Sequence, residues 1–322
     1  MKENKKPIST TSSPDNHFYR AAWKAQKKVP WDFLHSYLYA RWPYLYIGIG
    51  SKNHPIARKL TPIFQAWRRL FPAPIPRQRI PPSTTQASGT VADSYHGKVM
   101  PLEDARDLVM VNEPVNLPDL EQVIPYVQAR AIIQQNPDHI LLVQCPCRFY
   151  KEDPCLPIDV CLVIGEPFAS LMYQHYPSRA AWITQEQAIE IMEEEDARGH
   201  VHHAFFNEVM LGRYYAICNC CSCCCGAMQA HQRGTPMLAS SGYLATIDVS
   251  ECVACGTCEE YCQFEALGVV DGSSRVDEDL CMGCGVCVSK CPENAISLRL
   301  DSDRGIPLEI RKLIQDSQKL SV

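Results

Sequence analysis

Cys252, Cys255, Cys258 and Cys262 are spaced C-x2-C-x2-C-x3-C, and Cys281, Cys284, Cys287 and Cys291 repeat that spacing 29 residues later. The repeat extends beyond the thiols: Asp248 maps onto Asp277, Gly256 onto Gly285 and Ala266 onto Ala295. Three thiolates in one tight turn reach three corners of an iron-sulfur cubane, and small residues between them leave backbone N–H groups free to point at sulfur. Zinc is the competing metal, since four thiolates also suit a tetrahedral ion. Zinc sites normally present two separated C-x2-C pairs, whereas cysteines at i, i+3, i+6 and i+10, repeated in tandem, point to iron.

Ten further cysteines lie upstream. Cys145-Pro146-Cys147-Arg148 is followed by Cys155 and Cys161, and later by Cys218-Asn219-Cys220-Cys221-Ser222-Cys223-Cys224-Cys225-Gly226. Adjacent cysteines seldom bridge each other and a reducing compartment disfavours disulfides, so thiols this dense read as metal ligands. Cys145, Cys147, Cys220 and Cys221 form the leading set for a third iron-sulfur cluster. Cys155, Cys161, Cys218, Cys223, Cys224 and Cys225 remain for another centre, a redox-active pair or small buried residues. In an extended run, Cys221, Cys223 and Cys225 would share one face and Cys218, Cys220 and Cys224 the other; a helix from Cys223 onward would change that. His200, His202 and His203 lie between the two runs. Their ordinary reading is a solvated or capping group beside a helix end, and the alternative is ligation or proton transfer near the metal.

The tandem spacing resembles bacterial-type two-[4Fe-4S] ferredoxins over about 50 residues. That resemblance implies that the fourth cysteine of each half ligates the other half's cluster. One cluster would take Cys252, Cys255, Cys258 and Cys291, the second Cys281, Cys284, Cys287 and Cys262, and the module would carry single electrons. Pro292 follows Cys291 as in the family, but Gln263 stands where the first half of the pattern has proline. Proline there fixes a turn and supplies no ligand, so both sites stay complete, and Gln263 is expected to soften the helix start and alter hydrogen bonding near sulfur. Residues 95 to 235 resemble a poorly characterised group of ferredoxin-like iron-sulfur proteins with a similar Cys-Pro-Cys-Arg, histidine segment and Asn-Cys-Cys run, which implies a further iron-sulfur centre and names no reaction. Cys145-Pro146-Cys147-Arg148 is also similar to the Cys-Pro-Cys units of the disulfide reductase that takes electrons from plant ferredoxin. Cys155 and Cys161 do not continue that paired spacing. The chain thus reads as an electron carrier or oxidoreductase subunit with redox partner proteins, the alternative being an iron-sulfur-dependent thiol-disulfide or other oxidoreductase subunit.

The elements that must position these thiols follow from periodicity and punctuation. Leu120 to Gln135 has apolar residues at helical spacing, and Ile140 to Val143 suits a buried strand that delivers the chain to Cys145. Thr184 is a good N-cap for a helix through Ile189, Ile191 and Met192 that stops at Gly199. Tyr214 to Ile217 reads as a second strand, delivering the chain to Cys218, so the two cysteine runs are expected to meet. Five segments result: a basic, aromatic-rich arm (1–71), a Pro/Ser/Thr-rich linker (72–94), a Cys-rich metal-binding α/β domain (95–240), a two-[4Fe-4S] ferredoxin domain (241–300) and a helical C-terminal tail (301–322). The fold class is α+β, with a ferredoxin-like two-cluster (βαβ)2 module at the C-terminus attached to a mixed α/β Cys-rich domain.

A net charge of -5 conceals opposite halves: residues 1–80 carry 15 Lys and Arg against Glu3, Asp15 and Asp32, a net +12, leaving -17 for the remainder. Trp23, Trp31, Tyr37, Tyr39, Trp42, Tyr44 and Trp67 crowd the basic part. Such an arm either lies across the protein's own acidic body or meets an anionic membrane peripherally. No nucleic acid is expected, since no reading module accompanies the charge. Met1 to Asn16 lacks the apolar run of a secretory signal, and no stretch of 18 apolar residues occurs, so a cytoplasmic protein, at most peripheral on the inner face of the membrane, is expected. Gly48-Ile49-Gly50 lacks the third glycine and the setting of a dinucleotide site.

Overall fold

A computed structural model describes residues 30–61, 95–111, 115–118, 123, 131–207 and 213–319. Its largest element is an eight-stranded sheet built from β1 (Tyr95–Met100), β2 (Val115–Pro118), β3 (Ala131–Gln144), β4 (Asp159–Glu166), β5 (Ala180–Ile183), β6 (Val201–Asn207), β7 (Arg213–Cys220) and β8 (Leu238–Ala239). The strands run in the order β2-β3-β4-β7-β6-β1-β8, and β5 also pairs with β3. All pairings are antiparallel except β1 with β8 and a single contact between β3 and β7.

Both faces of the central strands are buried, and alternation along each strand divides their side chains between two layers. Leu162 and Ile164 of β4, Ile217 of β7 and Phe206 of β6 pack under α3 (Leu102–Val109), α6 (Gln185–Ala197) and α10 (Ile310–Lys319). Cys161 and Val163, Tyr215 and Cys220, and Phe205 face the other way. That second face is covered by α1 (Pro30–Arg41), α2 (Pro43–Gly50) and the C-terminal module, so the thiols lie between the sheet and its cover.

The expected helix over Leu120–Gln135 is not formed by its last five residues. Residues 131–134 are laddered to β2, and the β-branched Ile132 and Ile133 suit that pairing better than a helix interior. Apart from Val123, the rest of that stretch lies outside the described residues. Two expected strands and one expected helix are formed. β3 and β7 contain the predicted strands, and Thr184 caps α6 with a full capping box, its hydroxyl accepting from Gln187 N–H while the Gln187 side chain accepts from Thr184 N–H. Gly199 ends the turn after α6 at φ +81°.

The C-terminal module pairs β9 (Tyr243–Ile247) with β12 (Ile296–Leu300), and β10 (Leu267–Val270) with β11 (Ser273–Val276), around the short helices α8 (Thr257–Glu260) and α9 (Val286–Lys290). Of the expected arm (1–71), residues 30–61 are described and all but the turns at 42 and 51–54 are helical, while residues 1–29 and 62–71 and the whole expected linker (72–94) lie outside the described part. Tyr39, Ala40 and Tyr44 are buried. Tyr39 and Tyr215 share a hydrogen bond between their hydroxyls at 2.5 Å, and the Tyr44 hydroxyl donates to the Gln144 carbonyl at 2.8 Å. Arg58 pairs with Glu152 on the body. The described part of the arm therefore lies across the body. Among the described residues no helix is long and apolar enough to cross a membrane.

Candidate iron-sulfur and thiolate sites

The 29-residue repeat is carried in the backbone of the module. Ala254 and Gly283, Gly256 and Gly285, and Glu265 and Asn294 are equivalent pairs, and all six have positive φ. Asp248 N–H donates to Ala295 O at 2.8 Å, and Asp277 N–H to Ala266 O at 2.7 Å, so each half closes on the other. Left-handed Gly256 and Gly285 turn the chain so that the third cysteine of each set begins a helix. Cys252, Cys255 and Cys258 line one cavity together with Cys291 from the other half, and Cys281, Cys284 and Cys287 line a second together with Cys262.

These surroundings fit iron-sulfur clusters on their own chemistry. Each cavity has four thiols, and backbone N–H groups of Ala266 and Ala295 donate to the sulfurs of Cys262 and Cys291, both at 3.2 Å. Such bonds stabilise charge on sulfur. The two cavities differ in exposure. Cys255 is exposed, and N–H groups of Ser274 and Ala254 bring the Cys252 thiol down to about 7. In the second cavity burial pushes Cys287 up to about 12 and also pushes the Cys284 thiol up. The first cavity faces solvent and the second faces the body.

Gln263 accounts for its own departure from proline. Its side-chain oxygen accepts from Ser222 N–H at 2.8 Å and from the Ser222 hydroxyl at 2.9 Å, tying the Cys262 corner of the module to the cysteine-rich loop of the body. On a neighbouring side, the repeat-equivalent Tyr261 and Lys290 both grip the end of α6. Lys290 donates to Ala197 O at 2.9 Å and lies over the Tyr261 ring, and a Cβ on Gly199 would stand 2.4 Å from that ring.

The ten upstream thiols separate into two groups. Cys145, Cys161, Cys218, Cys220, Cys225 and Cys147 form a closed circuit of neighbouring sulfurs, each in side-chain contact with the next. They come from the end of β3, from β4, from β7 and from the start of α7 (Gly226–Gln232), and line a cavity of about 90 Å³ roofed by Tyr39, Pro43 and Ile47 of the arm. Contact with the neighbouring sulfur, reinforced by burial, pushes the thiols of Cys145, Cys161, Cys218 and Cys220 up. Without a cation these groups stay protonated; all six could ionise in so small a space only with a cation to neutralise them.

Cys155, Cys221, Cys223 and Cys224 form the second group, with all four sulfurs within 4.8 Å of one another. Cys224 is brought down to about 4, first by a hydrogen bond from Cys221 and further by Lys151, while Cys221 is pushed up by the same bond and by burial. Of the leading sequence set, Cys145, Cys147 and Cys220 are therefore brought together, and Cys221 has its sulfur in the other group, although it also borders the cavity. The strict alternation through residues 221–225 does not occur. The strand ends at Cys220, residues 222–224 turn, and Cys225 swings back toward Cys220 and Cys147.

Arg148 is the functional residue that spacing alone did not single out. Fully buried, it donates to Glu195 Oε2 at 2.9 Å, to Asn219 O at 3.0 Å and to Pro157 O, and Cys145 and Cys221 lie close enough to raise its pKa. Burial alone would push Glu195 up, but the hydrogen bond from His200 and the charge of Arg148 hold it below the usual carboxylate range. The histidines are not solvated: His200, His202 and His203 are 6%, 1% and 0% exposed. His200 precedes β6, and the strand turns the other two to opposite faces, His202 to Asn219 Oδ1 at 2.7 Å and His203 to the thiol face opposite Cys218. Both His203 ring nitrogens lack a hydrogen-bond partner among the described residues, and burial lowers the ring to about 3.

Two tandem four-thiol cavities with backbone donors aimed at sulfur define an iron-sulfur binding module. The family model of the 4Fe-4S binding domain matches the chain twice, at residues 245–268 and 274–297. No curated protein matches the chain. No solved structure matches it either. The C-terminal segment is thus a repeated 4Fe-4S binding domain, which supports iron-sulfur electron transfer in general terms.

Proposed function

We propose that this protein is an iron-sulfur electron-transfer protein that holds two [4Fe-4S] clusters in its C-terminal module and a third iron-sulfur centre in the upstream domain. Cys252, Cys255, Cys258 and Cys291 hold one cluster, and Cys281, Cys284, Cys287 and Cys262 the other. The third lies in the cavity lined by Cys145, Cys147, Cys161, Cys218, Cys220 and Cys225. Bound there, each cluster supplies a reversible one-electron couple. The observation that carries the reading is the closed circuit of six neighbouring sulfurs, four of them on buried cysteines, since a disulfide pair would need only two of them and an ordinary core would scatter them.

The protein's own residues set the terms of that chemistry. Arg148 places a fixed cation beside Cys145 and Cys221 and offsets thiolate charge that burial would otherwise make costly. Tyr39, Pro43 and Ile47 add mainly apolar surface to the wall of the cavity. Exposed Cys255 leaves the first module site open to a redox partner protein, and the Gln263–Ser222 bonds hold the second against the body.

Iron and sulfide counts test the reading. About twelve irons per chain, falling to about eight in Cys145→Ser and Cys161→Ser with the module's EPR spectrum retained, are expected for three four-iron centres; about eight in the unaltered protein would remove the third.

Peripheral contact with an anionic membrane belongs to the same proposal. The outer side of the arm exposes Leu38, Trp42, Leu45 and Ile49 beside Lys52 and Lys59. Salt-sensitive co-sedimentation with anionic vesicles is the expected result, and its absence would leave the arm as a roof alone.

A further inference from the structure

Cys155, Cys221, Cys223 and Cys224 differ from the other cysteine sets in how tightly their sulfurs gather. Cys155 and Cys223 stand at 3.1 Å, Cys223 and Cys224 at 3.4 Å, and Cys223 and Cys221 at 3.5 Å. The whole group lies within 4.8 Å. Four thiolates about 2.3 Å from one tetrahedral ion stand about 3.8 Å from each other. A cubane spreads its four thiolates over four separate iron corners and so holds them much farther apart. Among the described residues no other set of three or more histidine, cysteine or carboxylate ligand atoms reaches that spacing, the eight module cysteines included.

We propose that these four thiols bind one metal ion as a mononuclear tetrathiolate site, separate from the cavity of six. The ion is a soft, tetrahedral divalent cation, zinc or iron(II). Binding releases the remaining thiol protons to solvent, and Lys151, whose ammonium donates to Cys223 O, offsets the net negative charge of the complex. The ligands come from two loops: Cys155 from the segment after α4 (Pro146–Phe149), the others from the turn after β7. One ion clamps these loops together at the border of the cavity, where Cys221 and Cys224 also form part of the wall. Ser222, within the same turn, carries the clamp to Gln263 and hence to the Cys262 corner of the module. The inference does not depend on the third iron-sulfur centre, because none of its four sulfurs belongs to the six-membered circuit.

The test is elemental analysis of the full chain, purified without oxygen, alongside Cys155→Ser and Cys223→Ser. Neither substituted residue is fully buried, so both variants keep the core intact. The expected result is one equivalent of zinc, or one iron beyond a multiple of four, lost in each variant while the module's EPR spectrum and the remaining iron are unchanged. Absorption at the edge of that metal should show four sulfur neighbours in the unaltered chain. Loss of about four irons per chain would overturn the proposal by making these thiols cubane ligands. Unchanged metal together with a Cys155–Cys223 disulfide by mass spectrometry would overturn it in favour of thiol-disulfide chemistry. A chain with about eight irons and one such ion would retain this site and discard the third cluster.

Discussion

The module and the body both collect cysteines, by different means. In the module, three ligands of each site lie within seven residues of chain, and the turns that aim them repeat at every 29th position with positive φ. In the body, six sulfurs are gathered from two strand ends, two strand interiors and two helix starts, and sheet pairing sets Cys161 opposite Cys218 and Cys220 opposite Val201. A site written in consecutive residues tolerates damage elsewhere in the fold. One assembled by a sheet depends on everything that positions the strands.

The sharpest way to break that contrast is at Arg148. Arg148→Met leaves buried Glu195 with Arg198, at 3.0 Å from its other oxygen, as its remaining cation, and a loss of up to about 3 kcal/mol is expected by thermal unfolding, with iron retained by the module. Joint replacement with Glu195→Leu should restore most of the stability, since the apolar pair leaves no uncompensated charge. Equal loss of module and body iron in Arg148→Met would show that the two regions are not independent.

At the seam, Gly199→Ala must adopt φ near +81° and displace the Tyr261 ring, costing about 1–3 kcal/mol. Faster proteolysis between body and module is the expected readout. A smaller effect is expected from pH. His203 is neutral in the fold down to about pH 3 but takes up a proton near 6.5 when unfolded, so between those values the unfolded chain binds more protons. Stability therefore falls as pH drops through that window, by about 1–2 kcal/mol between pH 7 and 5. Urea titrations of His203→Leu should show a shallower dependence, and an unchanged slope would assign the effect elsewhere.

The mildest change is Gln263→Pro, which restores the family residue and removes both bonds to Ser222. About 1 kcal/mol of docking is at stake. Faster hydrogen exchange at Ser222 with an unaltered cluster spectrum is expected.

The same contrast explains what could be read from the sequence. The module's eight cysteines, the repeat and the capped helix after Thr184 are local features, legible from spacing. The meeting of Cys145 with Cys218's strand was also foreseeable, because each strand ends in a cysteine run. Membership of the two upstream groups was not: it turns on the bend at residues 222–224, which sends Cys225 to one side and Cys221, Cys223 and Cys224 to the other. Buried histidines looked like surface ones because strand β6 has seven consecutive buried residues, and polar residues on a strand covered on both sides give no periodic signal. The expected helix fails over residues 131–135 because apolar spacing there fits a strand as well as a helix.

The roof over the six thiols imposes an order of assembly. Tyr39 and Ile47 leave the ribosome long before Cys225, yet they can settle only on a ring that Cys225 completes. Helices made first must therefore wait for residues made last, and a metal centre proposed for the ring would have to enter before the arm settles over it. Protection of residues 30–61 from protease should accordingly follow iron incorporation and never precede it.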